Sequence, residues 1–156
     1  MKKIISYMFV LTALAFAASC SSDDDDTTGG TTTGLAEGDA TRPTTWTAPN
    51  YALFELTMSV QVQLGDKLAD YQSSQDLVCA TINDEVRAVA GPQVTGDVTY
   101  FPLVIAGNGA DRAIALHYYC DRLHRIFTLS NWTTFDQSTP PTGESTLYYP
   151  NFTAAN

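Results

Sequence analysis

Between Phe54 and Leu64 the chain alternates without a break. Phe54, Leu56, Met58, Val60, Val62 and Leu64 are apolar, and Glu55, Thr57, Ser59, Gln61 and Gln63 between them are polar. A period of two places every apolar side chain on one face of an extended strand, whereas a helix would scatter them around its axis. The segment therefore predicts a strand with one face buried and one wet. Shorter extended runs follow at residues 77–82, 86–90, 98–106, 113–120, 125–129 and 147–153. Asn83-Asp84-Glu85 reads as the turn of one hairpin, and Asp121-Arg122-Leu123-His124 as the turn of another. Gly107-Asn108-Gly109-Ala110-Asp111 is a further turn signal. Pro102 has no N–H to give to a ladder, which predicts an edge position or a bulge. Seven strands with no amphipathic helix predict an all-β fold, a single β-sandwich (immunoglobulin-like or related) over residues 46–156. A domain of about that size buries roughly two thirds of its unfolded surface.

The first 45 residues follow other rules. Lys2 and Lys3 precede a mostly apolar run at residues 4–18, interrupted by Ser6 and Thr12. The run falls short of the ~20 residues a membrane-spanning helix needs. It ends in Ala17-Ala18-Ser19-Cys20, so a secretory signal fits better than an anchor. Small residues before a cysteine resemble the lipobox cut by the lipoprotein signal peptidase. That resemblance implies a signal peptide over residues 1–19 and a lipid on Cys20, although Ala17 stands where Leu is usual. Ala15-Phe16-Ala17 is the alternative cleavage site, which would leave Cys20 as a free thiol. Residues 20–45 carry Asp23-Asp24-Asp25-Asp26 and a Thr/Gly-rich stretch. Such a composition cannot bury enough apolar surface to offset ordering entropy, which predicts a flexible tether with a reach of roughly 25–30 Å.

Charge and cysteines narrow the picture. The net charge is −9; without Lys2 and Lys3 the chain has 6 basic and 17 acidic residues, or −11. An acidic chain with no basic cluster repels phosphate backbones, so no nucleic-acid partner is expected. The cysteine count is three, and an odd number in a secreted protein needs a reason. A lipid on Cys20 supplies it and leaves Cys79 and Cys120 as a candidate disulfide worth roughly 3–4 kcal/mol; two buried free thiols are the equal alternative.

The run Asp76-Leu77-Val78-Cys79-Ala80-Thr81-Ile82-Asn83-Asp84-Glu85-Val86-Arg87-Ala88-Val89-Ala90 resembles a stretch of Bacteroidota surface lipoproteins carrying a small β-sandwich module of unassigned function. Trp46, Tyr51, the strand at residues 100–105 and Tyr118-Tyr119-Cys120 extend the likeness over roughly residues 46–130. The family often has Cys and Gly around its Arg, where this chain has Val86 and Ala88, and favours Gly near the place of His124. A left-handed turn residue is implied there. The resemblance implies an address and a fold, with no reaction or ligand. The acidic run after Cys20 resembles the signal that exports such lipoproteins to the outer surface of the outer membrane. Asp26-Thr27-Thr28 resembles the O-glycosylation pattern of the same bacteria, making Thr27 a candidate acceptor.

Candidate chemistry is sparse. His117, Cys120 and His124 suggest a metal cluster. Residues three apart in a strand point to opposite faces, however, so no metal site is expected from them. Asp66, Asp70, Asp76, Asp84, Glu85, Asn108 and Asp111 fall in loops without EF-hand spacing and read as solvated turn residues. No phosphate loop, nucleophile elbow or zinc-protease motif occurs. Hence no catalytic residue, no cofactor and no enzyme activity is expected. Aromatics are the remaining candidates: Trp132 first, then Tyr119 and Tyr149, each the expected outward member of a tyrosine pair. The expectation is a lipid-anchored surface lipoprotein held to the membrane through Cys20, its sandwich a non-catalytic module for a glycan or protein. The alternative is a structural or assembly subunit of a larger outer-membrane complex or filament, with the strand at residues 54–64 pairing with a partner if it is an edge.

Overall fold

A computed structural model of the chain describes residues 34–136 and 146–152. The signal segment, Cys20, Thr27 and the early tether lie outside the described residues. The strands are β1 (Leu56–Val62), β2 (Leu77–Ile82), β3 (Glu85–Ala90), β4 (Gln93–Thr95), β5 (Val98–Gly107), β6 (Ala113–Cys120), β7 (Arg125–Thr134) and β8 (Thr146–Tyr148). One sheet has the order β4-β5-β1-β8 and the other β3-β2-β6-β7. All described pairings are antiparallel except that of β1 with β8. A single helical turn, α1 (Asp66–Ala69), lies between β1 and β2. The molecule is a β-sandwich, as the alternation predicts, with one strand more than expected.

The core lies between the sheets. Met58, Val60 and Val62 of β1 and Phe101, Leu103 and Ile105 of β5 face Val78, Ala80 and Ile82 of β2 and Ile114, Leu116 and Tyr118 of β6. Tyr118 sits at its centre. Its ring stacks on Phe127, its partner across the β6–β7 hairpin, and meets Phe101 edge-on, both at 6.0 Å between centroids.

The predicted turns form as their residues require. Asn83 and Asp84 both have positive φ (51° and 62°) and join strands whose closing pair is Ile82 with Glu85. A two-residue loop with two left-handed residues has the twist that hairpins favour. His124 closes the β6–β7 turn at φ 46°, the left-handed position expected there. Pro102 pairs with Gln61 of β1 where β4, on the other side of β5, has already ended opposite Tyr100. Among the described residues its missing N–H therefore falls on an open edge.

Three features differ from expectation. First, β1 lies between β5 and β8, so it is no edge and offers no free ladder along Val60–Val62 for a partner. Along Val60–Val62 the edge condition for assembly through this strand is not met, because β8 takes that side of the ladder. Second, β7 runs to Thr134, five residues further than its apolar pattern. Ser130, Asn131 and Trp132 stand opposite Ala115 alone, with Asn131 at φ 52°. That irregularity breaks the alternation by which strands are read. Third, β3 carries a bulge: Val86 faces Thr81 and Ala88 faces Ala80, leaving Arg87 unpaired.

The bulge lets Arg87 and Ala88 both turn inward. The Arg87 guanidinium reaches Asp111 at 2.9 Å and Glu85 at 3.1 Å and lies 4.5 Å from the centroid of the Phe54 ring. Asp111 also accepts the Asn108 N–H at 2.7 Å, so it shapes the β5–β6 turn. Asp111 is thus buried and paired, where the sequence suggested a solvated turn residue; its neighbour across the sandwich is a cation that only the bulge brings inside. Beside it a side chain at Gly107 would overlap the buried Phe135 ring.

Candidate functional site

At the opposite end of the sandwich, two loops and the core tyrosine converge on Asp76. This residue precedes β2 and is fully buried. A buried carboxylate needs donors, since water no longer supplies them. Asp76 has four: the Ser73 N–H at 2.9 Å, the Ser73 hydroxyl at 3.0 Å, the Tyr118 hydroxyl at 2.8 Å and the Asp121 N–H at 2.9 Å. It therefore joins the loop before β2, the core tyrosine and the β6–β7 turn, and it too is no solvated turn residue. Burial, then the adjacent Asp76 charge, push the Tyr118 phenol far up, so it remains a donor at any ordinary pH.

Beside this hub lies an open cleft of about 300 Å³, at the small end of the usual range for small-ligand sites. Gln72, Ser73 and Ser74 form one wall, Pro92, Val94 and Thr99 another, and Arg122 a third. The Ser73 hydroxyl is committed, donating to Asp76 and accepting from the Gln75 N–H at 3.1 Å. The side chains of Gln72, Ser74 and Thr99 make no hydrogen bond among the described residues. Arg122 is exposed, and its guanidinium touches only the Asp70 carbonyl, at 3.4 Å, within the described residues.

A strap of chain adjoins the same loops. The Gly38 N–H donates to the Leu123 carbonyl at 2.8 Å and the Ala40 N–H to the His124 carbonyl at 2.7 Å. The Leu35 N–H donates to the Tyr71 hydroxyl at 3.1 Å, and the Arg42 guanidinium to the Gln75 carbonyl. A Cβ at Gly38 would stand 2.8 Å from the His124 oxygen, so the close approach requires glycine. Residues 34–45, assigned by composition to the tether, are thus seated on the domain.

The three candidate aromatics have different fates. Tyr119 lies on the outer face of its sheet, as expected, but is only 2% exposed. Its hydroxyl donates to Asp121 at 3.2 Å, and Arg42 of the strap is close enough to act on its phenol. It is no open platform. Trp132 is half-buried and meets Tyr148 of the other sheet edge-on at 5.0 Å, which closes the sandwich at the β7–β8 side. Tyr149 is 64% exposed. Among the described residues no ring contact joins the three candidate aromatics to one another.

Cys79 and Cys120 are both free and buried, so the candidate bridge is not formed. Cys79 stands opposite His117, three residues along β6 from Cys120. Three residues of strand span about 10 Å, beyond the ~7 Å that a disulfide tolerates between Cα atoms; odd spacing also sends the two thiols to opposite faces. Burial pushes the Cys79 thiol up to about 12. His117 lies beside Thr81 at 3.1 Å and Thr128 at 3.0 Å, under the Trp46 ring at 6.0 Å. His124 closes the turn beyond. Among the described residues, no group of three or more His, Cys, Asp or Glu side chains converges to hold a metal.

The cleft residues escaped sequence reasoning because they come from three separate parts of the chain: the loop before β2, the β4–β5 hairpin with Pro92, and the β6–β7 turn. Only the Ser73-x-x-Asp76 spacing, a self-capping turn, carried a local signal. No family model, curated protein or solved structure matches the chain.

Proposed function

We propose that this chain is a surface lipoprotein, anchored through lipid on Cys20, whose β-sandwich is a non-catalytic module binding a glycan or a protein. The supporting observation is the cleft at the Asp76 end, with uncommitted polar side chains on loops already fixed by buried hydrogen bonds. Preorganised walls lower the entropy cost of capturing a ligand. Among the described residues the cleft lining offers one permanent cation and neutral hydrogen-bonding groups, which suits binding. The lipobox resemblance and the acidic run after Cys20 support the outer-membrane address.

A glycan array probed with the mature chain and with Thr99→Trp, which fills the cleft, tests the module. Ligand retained by the parent and lost by the variant is expected; equal binding would place the site elsewhere. For the anchor, Cys20→Ala should release the chain from the membrane fraction, and unchanged association would refute lipidation.

Assembly within a larger envelope complex is the second reading. It is favoured by the exposed Val104 and Leu147 side chains on the outer face of the β4-β5-β1-β8 sheet.

A further inference from the structure

We infer that the cleft between residues 72–74, Pro92, Val94, Thr99 and Arg122 takes a carboxylate-bearing sugar, a uronic-acid type of residue within a glycan. This inference rests on the binding-module reading and names its ligand class.

Arg122 is the one charged side chain lining the cleft, and among the described residues it carries no ion pair. Its planar fork of donors matches a carboxylate in bidentate fashion. The rest of the lining is neutral. The Gln72 amide and the Ser74 and Thr99 hydroxyls can each give and accept hydrogen bonds, as ring hydroxyls require. Pro92 and Val94 supply an apolar patch suited to the C–H face of a sugar ring. The acidic balance of the chain argues against multiply charged anions: one arginine offsets a single negative charge, not a phosphate dianion. The size of about 300 Å³ suits one or two ring units rather than a long peptide.

The position of Arg122 is prepared before any ligand arrives. Its neighbour Asp121 gives its N–H to Asp76, which also holds Ser73 on the facing wall. The backbones of the two walls are therefore tied to one buried carboxylate, which fixes where the Arg122 side chain leaves the β6–β7 turn.

Calorimetric titration of the mature chain with glucuronic-acid-containing and matching glucose-containing oligosaccharides tests this. The acidic sugar should bind about 10- to 100-fold tighter than the neutral one, the span for a charge-assisted bidentate contact. Arg122→Gln should erase that preference, and Arg122→Lys should restore part of it. Amide resonances of Gln72, Ser74 and Thr99 should shift during the titration. Arg122 is exposed, so the variants keep the fold, and an unchanged amide spectrum verifies this. Equal affinity for both sugars, with Arg122→Gln unaffected, would overturn the acidic-ligand inference and leave the module reading standing. An acidic peptide bound at Arg122 while both sugars fail would overturn the sugar class. Failure of every glycan and peptide probe would overturn the inference and the binding-module reading together.

Discussion

The Tyr118 hydroxyl donates to Oδ2 of Asp76 at 2.8 Å, linking the centre of the core to the loops at one end of the sandwich. The tyrosine fills the middle of the apolar cluster, yet its polar tip is spent on a carboxylate that also holds two loops. Replacing Asp76 with Asn turns two of the acceptor lone-pair sites into donors that face donors. A loss of about 2–4 kcal/mol is expected from urea unfolding, and about 1–2 kcal/mol for Tyr118→Phe, which removes one donor of four. An Asp76→Asn variant within ~0.5 kcal/mol of the parent would contradict this role.

The Arg87–Asp111 pair should show the asymmetry of buried charges. Both side chains are under a tenth exposed. Arg87→Met leaves Asp111 buried without its cation, at a cost of about 3–5 kcal/mol. The double variant with Asp111→Asn should regain much of this, since the amide oxygen can still accept from Asn108. Urea midpoints of the two singles and the double give the coupling; additive effects would rule it out.

His117 sets a pH dependence. Burial lowers its pKa below the ordinary value, and the Asp84 charge only partly opposes this. As pH falls through about 6.5 the unfolded chain takes up the proton first. Stability is therefore full above that value, declines as pH falls towards the lower folded pKa, and levels off below it. His117→Gln should flatten the urea midpoint between pH 7.5 and 5 relative to the parent. An imidazole NMR titration centred at or above 6.5 in the folded chain would be the contrary result.

The sheets were legible where a strand is wet on one side. The alternation at residues 54–64 announced β1, and Asn83-Asp84 announced the first hairpin. Legibility ended wherever packing rather than local pattern decides. β4 is three exposed residues without alternation, formed because β5 folds back on it. Phe54 continues the period of two but leaves the strand to lie against the Arg87 guanidinium. The bulges at Arg87 and Asn131 shift the register without a glycine to mark them. The outward position of Tyr119 followed from parity alone; its burial did not, since an outward side chain is ordinarily exposed. The cleft was invisible for a related reason: Gln72, Thr99 and Arg122 are ordinary surface residues until Asp76 and the β4–β5 hairpin set them around one space.

The strap also determines how force enters the domain. A pull from the N-terminal side at Gly34 meets the Leu35–Tyr71, Gly38–Leu123 and Ala40–His124 bonds before it reaches β1. These contacts would part first, while both sheets stay intact. The same bonds end on Tyr71, Leu123 and His124, beside Gln72 and Arg122 of the cleft. A force applied at Gly34 and a ligand in the cleft would therefore act on one set of loops, with the strap as the first link to part.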